Sequence, residues 1–197
     1  MRHFVYFSSE AATSGNALSK YSGGDLMKAG RMDIAIHSFI QGVFLSHALR
    51  DNVVFHFVFY GMPDPPKHIQ IQVLPETDLS KRDVASVIKK ILYKYREGEK
   101  TEIFKGCFVE KKSLLKVTEE LKDNGNEIFI LEKRGENIRK AKIPENCVFV
   151  LGDHEGLPKK ELNRLKKYCK SISVGPLMYF ASQTVAIVNN ELDLRGL

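Results

Sequence analysis

The chain has 197 residues, of which 43% are hydrophobic and 27% are charged. This is the composition of a globular protein, so it excludes a disordered, collagen-like or disulfide-rich chain. The 30 Lys and Arg residues outnumber the 24 Asp and Glu residues, which gives a net charge of +6. A basic surface favours a polyanionic partner such as nucleic acid, but lysines that only keep the surface soluble would give the same net charge.

No segment of the sequence predicts a secreted or membrane protein. The longest apolar run, residues 53–60, is far shorter than the ~20 apolar residues of a spanning helix. The first residues become polar too early for a signal peptide. Cys107, Cys147 and Cys169 lack the CxxC spacing of a metal site and are typical of buried thiols in a reducing compartment. We therefore expect one cytoplasmic domain over residues 1–197, without a membrane segment or a metal.

The first part of the chain contains three predicted strands and one long connection. Apolar runs at residues 2–7 and 53–60 predict buried strands, and the alternating pattern at 68–74 predicts a half-exposed strand. Residues 8–30 are rich in Ser, Gly, Ala and Thr and predict a loop. A loop of that length inside a domain is usually functional or mobile.

Residues 32–49 have helical periodicity but are apolar on nearly every side. A helix of this kind is buried on more than one side, by the core or by a second subunit. We therefore expect its His37 and His47 to be hydrogen-bonded core or interface side chains. We also predict that this helix and the last helix of the chain form the interface of a homodimer.

The rest of the chain alternates predicted helices and strands. The predicted helices cover residues 80–95, 113–124, 158–169 and 181–192, and the predicted strands cover 127–131, 147–151 and 171–174. Ser80 and Asp83 fit a capping box at the first of these helices. The helix at 158–169 carries outward lysines and is a candidate RNA contact. Buried strands that alternate with helices predict an α/β fold, with a largely parallel sheet and helices on both faces.

The common nucleotide-binding and hydrolase motifs are absent from the sequence. It contains no GxGxxG after a strand, no GxxxxGK[ST], no GxSxG and no HExxH. His154 stands between Asp153 and Glu155, but three consecutive residues of a loop do not converge easily on one ion. We expect a turn with a surface histidine there.

Two strand-to-helix junctions remain as candidate ligand sites. VFVLGDHEGLP, residues 148–158, places Gly152 and Gly156 after a buried strand, and SISVGPLMYFASQT, residues 171–184, places Gly175 after another. Ligands of parallel sheets bind at the carboxyl ends of strands, where glycine allows a close approach of the backbone. Taken alone, each junction is explained more simply as a turn.

Together, the two junctions resemble the second and third motifs of the SPOUT class of knotted methyltransferases, and EIFILEKRG supplies the expected earlier strand. Residues 30–66 narrow the resemblance to the archaeal tRNA pseudouridine-54 N1-methyltransferase family, through the order GR-hydrophobic-D, FLSH, an apolar strand and YG-x-P-x-PP. The resemblance implies S-adenosylmethionine as cofactor, a C-terminal trefoil knot, an obligate homodimer, and methylation of N1 of pseudouridine 54 in the T-loop of tRNA. Methylation of ribosomal RNA pseudouridine and a non-catalytic RNA-binding module on the same fold remain alternatives.

The resemblance also implies the residues of the cofactor pocket and of the base site. The implied cofactor residues are Leu131, Gly152, Val174, Gly175, Pro176, Leu177, Met178, Tyr179 and Thr184, the last at a position where a cysteine is expected in a close relative. Arg31 and Asp33 match the motif residues that meet the flipped base. A carboxylate there could take the proton of pseudouridine N1, and a guanidinium could hold a phosphate or a base carbonyl. Alternatively, Asp33 caps the following helix and Arg31 pairs with an acidic neighbour.

Overall fold

The computed structural model describes residues 1–19, 26–74, 77 and 79–197. Its strands are β1 (Arg2–Ser8), β2 (Val53–Phe59), β3 (Lys67–Gln72), β4 (Thr101–Phe104), β5 (Cys107–Glu110), β6 (Glu127–Asn137), β7 (Cys147–Leu151) and β8 (Lys170–Ser173). Its helices are α1 (Gly15–Ser19), α2 (Met32–Val43), α3 (Val84–Tyr93), α4 (Leu114–Asp123), α5 (Lys159–Leu165) and α6 (Ala181–Leu194), with a 3₁₀ helix at Leu26–Ala29. None of these helices is long and apolar enough to cross a membrane.

All eight strands form one sheet in the order β4-β5-β3-β2-β1-β7-β6-β8. The five strands from β2 to β8 pair in parallel, which confirms the predicted parallel core. The three strands at the other end, β3, β5 and β4, pair antiparallel. The β4–β5 hairpin was not predicted, because its strands are short and only half-buried; its sequence signal is the two-residue turn at Lys105 and Gly106, where Gly106 has φ 79°.

Helices cover both faces of the sheet, as predicted. Alternate residues of β1 show the division, since Phe4 packs in the core beneath α2, α3 and α6 and Val5 packs in the core beneath α4 and α5. β2 is buried over its whole length because both of its faces are covered.

The predicted helix at 32–49 is shorter in the structure. α2 ends at Val43 because Phe44 adopts an extended conformation and pairs with Leu49 across a turn. The expectation that His37 and His47 are core residues is wrong for the single chain, where both are exposed. The apolar side chains of α2 are mostly buried against the sheet and α6.

Other predicted bounds also change. Within the predicted loop at 8–30 the structure has α1 and the 3₁₀ helix, whereas residues 20–25 of that prediction lie outside the described residues. α3 begins at Val84, after a turn at residues 81–83. The predicted capping box does not form, because the Ser80 hydroxyl donates to the Asp83 carboxylate (2.6 Å) and no side chain caps the helix. β3 is more buried than its alternating pattern predicts, with only Gln70 and Gln72 half-exposed.

Candidate active site

A cavity of about 140 Å³ opens beside Leu131, in the middle of β6, and beyond the carboxyl ends of β7 and β8. Its lining includes eight of the residues named from the sequence: Leu131, Gly152, Val174, Gly175, Leu177, Met178, Tyr179 and Thr184. Pro176 lies in the same loop but does not line the cavity. The two glycine-bearing junctions therefore meet at one site.

The loop after β7 is folded tightly on itself. A Cβ at Gly152 would lie 2.3 Å from the carbonyl carbon of Gly156, and Gly156 itself has φ 80°. Side chains at either position would distort the loop. Glycine is required here to bring the backbone to the wall of the cavity.

Asp153 anchors this loop to the end of β1. Its carboxylate is buried and accepts hydrogen bonds from the Ser8 hydroxyl (2.9 Å) and from the backbone N–H groups of Ser9 (3.0 Å) and Glu155 (2.9 Å). Asp153 also lines the cavity. The sequence analysis considered this residue only as an apparent metal ligand beside His154. A buried carboxylate after an apolar strand is the signal that could have identified it.

The loop after β8 forms the opposite wall. The Ser173 hydroxyl donates to the Gly175 carbonyl (2.9 Å), and a Cβ at Gly175 would lie 2.8 Å from the Tyr179 hydroxyl. Leu177 and Met178 are 65% and 81% exposed. Among the described residues, no partner accepts a hydrogen bond from the backbone N–H of Leu177 or Met178.

These walls fit a nucleoside-containing cofactor such as S-adenosylmethionine. Leu131, Leu151 and Leu177 provide apolar surface for a planar base, and the loop after β8 presents unpartnered backbone donors for its polar edge. The fit depends on glycine and on small or apolar side chains rather than on a charged cluster.

Glu132 and Lys166 form an ion pair at one side of the cavity. Glu132 lines it, and its carboxylate contacts Lys166 Nζ at 2.8 Å. Burial opposes ionisation of Glu132, but hydrogen bonds from Lys166 and Ser171, together with the positive charges of Lys166 and Arg134, lower the pKa of this carboxyl. Lys166 was expected to face solvent as an RNA contact, and the structure places it in this ion pair.

Arg31 and Asp33 form a second polar group at the start of α2. Arg31 has φ 57°, and its Nε and Nη2 donate to the two oxygens of Asp33 at 3.1 Å each. The hydrogen bond to Asp33 raises the pKa of Arg31. Arg31 therefore pairs with an acidic neighbour, and Asp33 lies in the first turn of α2 rather than at its N-cap. Neither residue lines the cavity.

Tyr6 is close enough to the cavity and to the Arg31–Asp33 pair for charges of both to act on it. It was not identified from the sequence. Its hydroxyl is buried and has no hydrogen-bond partner among the described residues. Burial raises the pKa of Tyr6 most, and the negative charges of Asp153 and Asp33 raise it further. A neutral phenol thus lies between the cavity and the Arg31–Asp33 pair. In the sequence, Tyr6 cannot be distinguished from the other aromatic residues of a buried strand.

The remaining candidate groups do not form a site. His154 is an exposed residue of the turn after β7, and no group of His, Cys, Asp and Glu among the described residues could hold a metal ion. Burial raises the pKa of Cys107 and Cys147 to about 11 and that of Cys169 to about 12, so these thiols stay protonated near neutral pH.

Comparison with known proteins is consistent with this geometry. The model of a family described as "Putative SAM-dependent RNA methyltransferase" matches residues 1–197. A Methanococcoides burtonii protein named tRNA (pseudouridine(54)-N(1))-methyltransferase is 34% identical and is aligned over 98% of this chain and 96% of that protein. An Alcanivorax borkumensis protein named "Putative pseudouridine methyltransferase" is 31% identical over the full length of both chains.

One solved structure has the same fold. The crystal structure of Archaeoglobus fulgidus Nep1 bound to S-adenosylhomocysteine matches with a TM-score of 0.62 at 14% identity, over 100% of this chain and 99% of that chain. At this level of identity the match describes the fold and not the substrate.

Proposed function

This chain belongs to the family of S-adenosylmethionine-dependent RNA methyltransferases, and we propose that it methylates N1 of pseudouridine 54 in the T-loop of tRNA. The observation that carries the proposal is the cavity beyond the carboxyl ends of β7 and β8, together with the Arg31–Asp33 pair at the start of α2, since charges of both act on Tyr6. The names of the 34% identical Methanococcoides burtonii relative and of similar archaeal proteins support the choice of substrate.

The cofactor would lie in the cavity. Leu131 and Leu177 would pack on the adenine faces, and the backbone of Gly152, Val174 and Met178 would hydrogen-bond its polar groups. When bound, S-adenosylmethionine supplies a methyl group on a positively charged sulfur. The residues of the chain hold this group and exclude water from it.

Asp33 and Arg31 would act on the target base. Pseudouridine is joined to ribose through carbon, so its N1 carries a proton that must leave when a methyl group is added. The Asp33 carboxylate accepts this proton, and Arg31 stabilises negative charge on the base carbonyls or holds a phosphate. Their two-fold hydrogen bond fixes both side chains before the base arrives.

The same proposal includes the RNA contact and the assembly. Lys160 and Lys167, which are exposed on and just after α5, would contact RNA phosphates. The trefoil knot and the homodimer that the family resemblance implies are part of the proposal as well. A pseudouridine in ribosomal RNA is the second candidate substrate, because the family resemblance does not separate it from tRNA.

The test uses two T-arm hairpins that differ only at position 54, with pseudouridine or uridine. We expect methyl incorporation from labelled S-adenosylmethionine into the pseudouridine hairpin alone, because N1 of uridine is already bonded to ribose. A ribosomal hairpin with pseudouridine serves as the comparison substrate. Equal incorporation into the uridine hairpin would refute the N1 assignment, and a preference for the ribosomal hairpin would select the second candidate.

Calorimetry with S-adenosylhomocysteine accompanies this assay. The RNA-binding module on the same fold, which lacks catalysis, would bind hairpins without affinity for this ligand. Affinity for S-adenosylhomocysteine with no methyl transfer to any hairpin would point to a different RNA.

A further inference from the structure

A second cavity lies at the other end of the sheet, between the C-terminal end of α3 and the start of β4. It has a volume of about 450 Å³ and is lined chiefly by Tyr93, Lys94, Tyr95, Arg96, Thr101 and Glu102. We call it the β4 groove. None of its residues belongs to the candidate active site.

Two hydroxyls of the β4 groove are buried without a partner. Tyr95 Oη and Thr101 Oγ1 are inaccessible to solvent and make no hydrogen bond among the described residues. Because neither oxygen has surface open to the groove, a ligand there would contact the aromatic rings and the basic side chains and not these hydroxyls.

Aromatic and basic side chains surround these hydroxyls. Tyr93 is 48% exposed, and its ring packs over Gly15, where a Cβ would lie 2.4 Å from the ring. The buried Lys67 packs on one face of the Tyr95 ring, and its Nζ lies 3.9 Å from the ring centroid. Lys94 and Arg96 are exposed at the rim. Fixed aromatic rings beside cations are the elements of a single-stranded nucleic-acid site, where bases stack and phosphates pair with cations.

The only acidic side chain in the lining, Glu102, does not oppose such a ligand strongly. Its carboxylate accepts a hydrogen bond from the backbone N–H of Gly106 at 3.0 Å, within the β4–β5 turn. The charged lining of the groove is therefore two cations and one hydrogen-bonded carboxylate.

The groove and the candidate active site lie on the same side of the sheet, the side at which β1 and β2 have their carboxyl ends. Thr101 begins β4 opposite Val109, near the end of β5, and Lys67 begins β3 opposite Phe59, the last residue of β2. Ser8, the last residue of β1, pairs with the same Phe59. The groove, the end of β1 beside Asp153 and the cofactor cavity thus lie in one row. From β4 to β7 the row spans roughly 24 Å, at about 4.8 Å per strand.

We propose that the β4 groove is a second RNA subsite, in which a nucleotide outside the methylated position stacks on the exposed Tyr93 ring. Lys94 and Arg96 contact its flanking phosphates. The inference rests on the proposed function only in that the ligand is the RNA substrate.

The first test compares two double substitutions that each remove two positive charges. Lys94→Gln with Arg96→Gln removes the cations of the groove, and Lys81→Gln with Arg82→Gln removes two exposed cations just before α3. Lys81 lies near Phe44, at the opposite edge of the sheet. Binding of a T-arm hairpin is measured by fluorescence anisotropy from 50 to 200 mM salt.

We expect the groove pair to weaken binding at least ten-fold at the lowest salt. It should also reduce the slope of log affinity against log salt by about 1.4, or 0.7 for each lost phosphate contact. The control pair should change affinity less than two-fold. If the two pairs weaken binding equally, the RNA responds only to the total surface charge and the subsite is refuted. If the groove pair has no effect on binding, the subsite is refuted as well.

The second test removes the exposed ring. Tyr93→Leu should lower hairpin affinity about five-fold or more, because base–aromatic stacking is lost, whereas Tyr93→Phe keeps the ring and should bind as the unsubstituted protein does. Melting temperatures without RNA show that both variants are folded. Equal affinities of the two variants would contradict the proposal.

These measurements separate the subsite from the proposed function. Binding is recorded with S-adenosylhomocysteine and a hairpin that carries uridine at position 54, so no methyl transfer is needed. Groove-dependent binding without methylation of any pseudouridine hairpin would refute the proposed function alone. Normal methylation with groove variants that bind as the unsubstituted protein does would refute the subsite alone.

Discussion

The Asp33 carboxylate accepts two hydrogen bonds, both from the guanidinium of Arg31. A carboxylate held in this way can serve as a proton acceptor or can only fix the conformation of Arg31, whose φ of 57° is unusual for a residue other than glycine. Substitution by asparagine distinguishes the two roles, because the amide keeps the shape and one acceptor but cannot take the proton.

We expect Asp33→Asn to reduce the turnover of the pseudouridine hairpin by roughly 10²- to 10⁴-fold, the usual contribution of a general base. Its melting temperature and its affinity for S-adenosylhomocysteine should be unchanged, since Asp33 does not line the cofactor cavity. Asp51→Asn, at an exposed aspartate before β2, is the matched control. Unchanged turnover of Asp33→Asn would assign the carboxylate a positioning role only.

At the scale of elements, four strands are joined by a row of buried polar side chains. His3 Nδ1 contacts His56 Nε2 at 3.0 Å, His56 Nδ1 contacts His68 Nε2 at 2.9 Å, and His68 Nδ1 contacts the Glu110 carboxylate at 3.0 Å. A carboxylate only accepts, so His68 donates from Nδ1. The same direction of donation then follows for His56 and His3, and all three rings are neutral with the proton on Nδ1.

Burial is the main cause of the lowered pKa values of the three histidines in this row. It lowers the pKa of His3 to about 4 and that of His56 well below the ordinary value of 6.5, where the neighbouring His68 and His3 add to it. Burial also lowers the pKa of His68, against the opposing effect of Glu110. For Glu110, burial opposes ionisation, but hydrogen bonds from His68 and Lys112 lower its pKa to about 2.

The pH dependence of stability follows from these directions. Below pH 6.5 the unfolded chain binds protons that the folded histidines do not, so the free energy of unfolding falls as the pH falls. For a histidine that stays neutral, the loss between pH 6.5 and 5 is about 2 kcal/mol. His56→Phe should be less stable at pH 7, because it leaves His3 and His68 without partners, and should lose less stability on acidification.

Urea unfolding at pH 7, 6 and 5 measures this effect. His37→Gln, a substitution at an exposed histidine of α2, should retain the pH dependence of the unsubstituted chain. Parallel curves for His56→Phe and the unsubstituted chain would contradict the neutral state of the row.

At the scale of the whole molecule, apolar side chains remain exposed around α6. Leu177, Met178, Phe180 and Leu194 are each at least 65% exposed. Leu177, Met178 and Phe180 lie together in the loop before α6, and exposed apolar side chains that cluster in this way are typical of a surface that another chain covers. Since the apolar residues of α2 are largely used within the chain, these side chains carry the expectation of a homodimer.

Light scattering at micromolar concentration should give twice the mass of one 22.4 kDa chain. Leu194→Glu should shift the population toward the monomer, because a charge buried in the interface would lack a partner. Met62→Glu, at a methionine that is 73% exposed in a turn, is the control and should remain a dimer. A 22.4 kDa particle for the unsubstituted chain would refute the dimer.

The apolar patterning predicted the parallel core, because long apolar runs such as residues 53–59 specify buried strands locally. Each glycine-bearing junction, taken alone, is explained more simply as a turn. The choice of Leu131, Gly152 and Leu177 as cofactor residues came from the family resemblance, and the structure places these three residues in the lining of one cavity.

Contacts between distant strands depend on the folded chain and could not be predicted from the sequence. The end of α2 depends on the pairing of Phe44 with Leu49, and the short strands β4 and β5 become recognisable only where they join the sheet. The unpartnered hydroxyls of Tyr6 and Tyr95 are indistinguishable in sequence from those of other tyrosines. Their role depends on what surrounds them after folding, and residue type and spacing along the chain do not encode those neighbours.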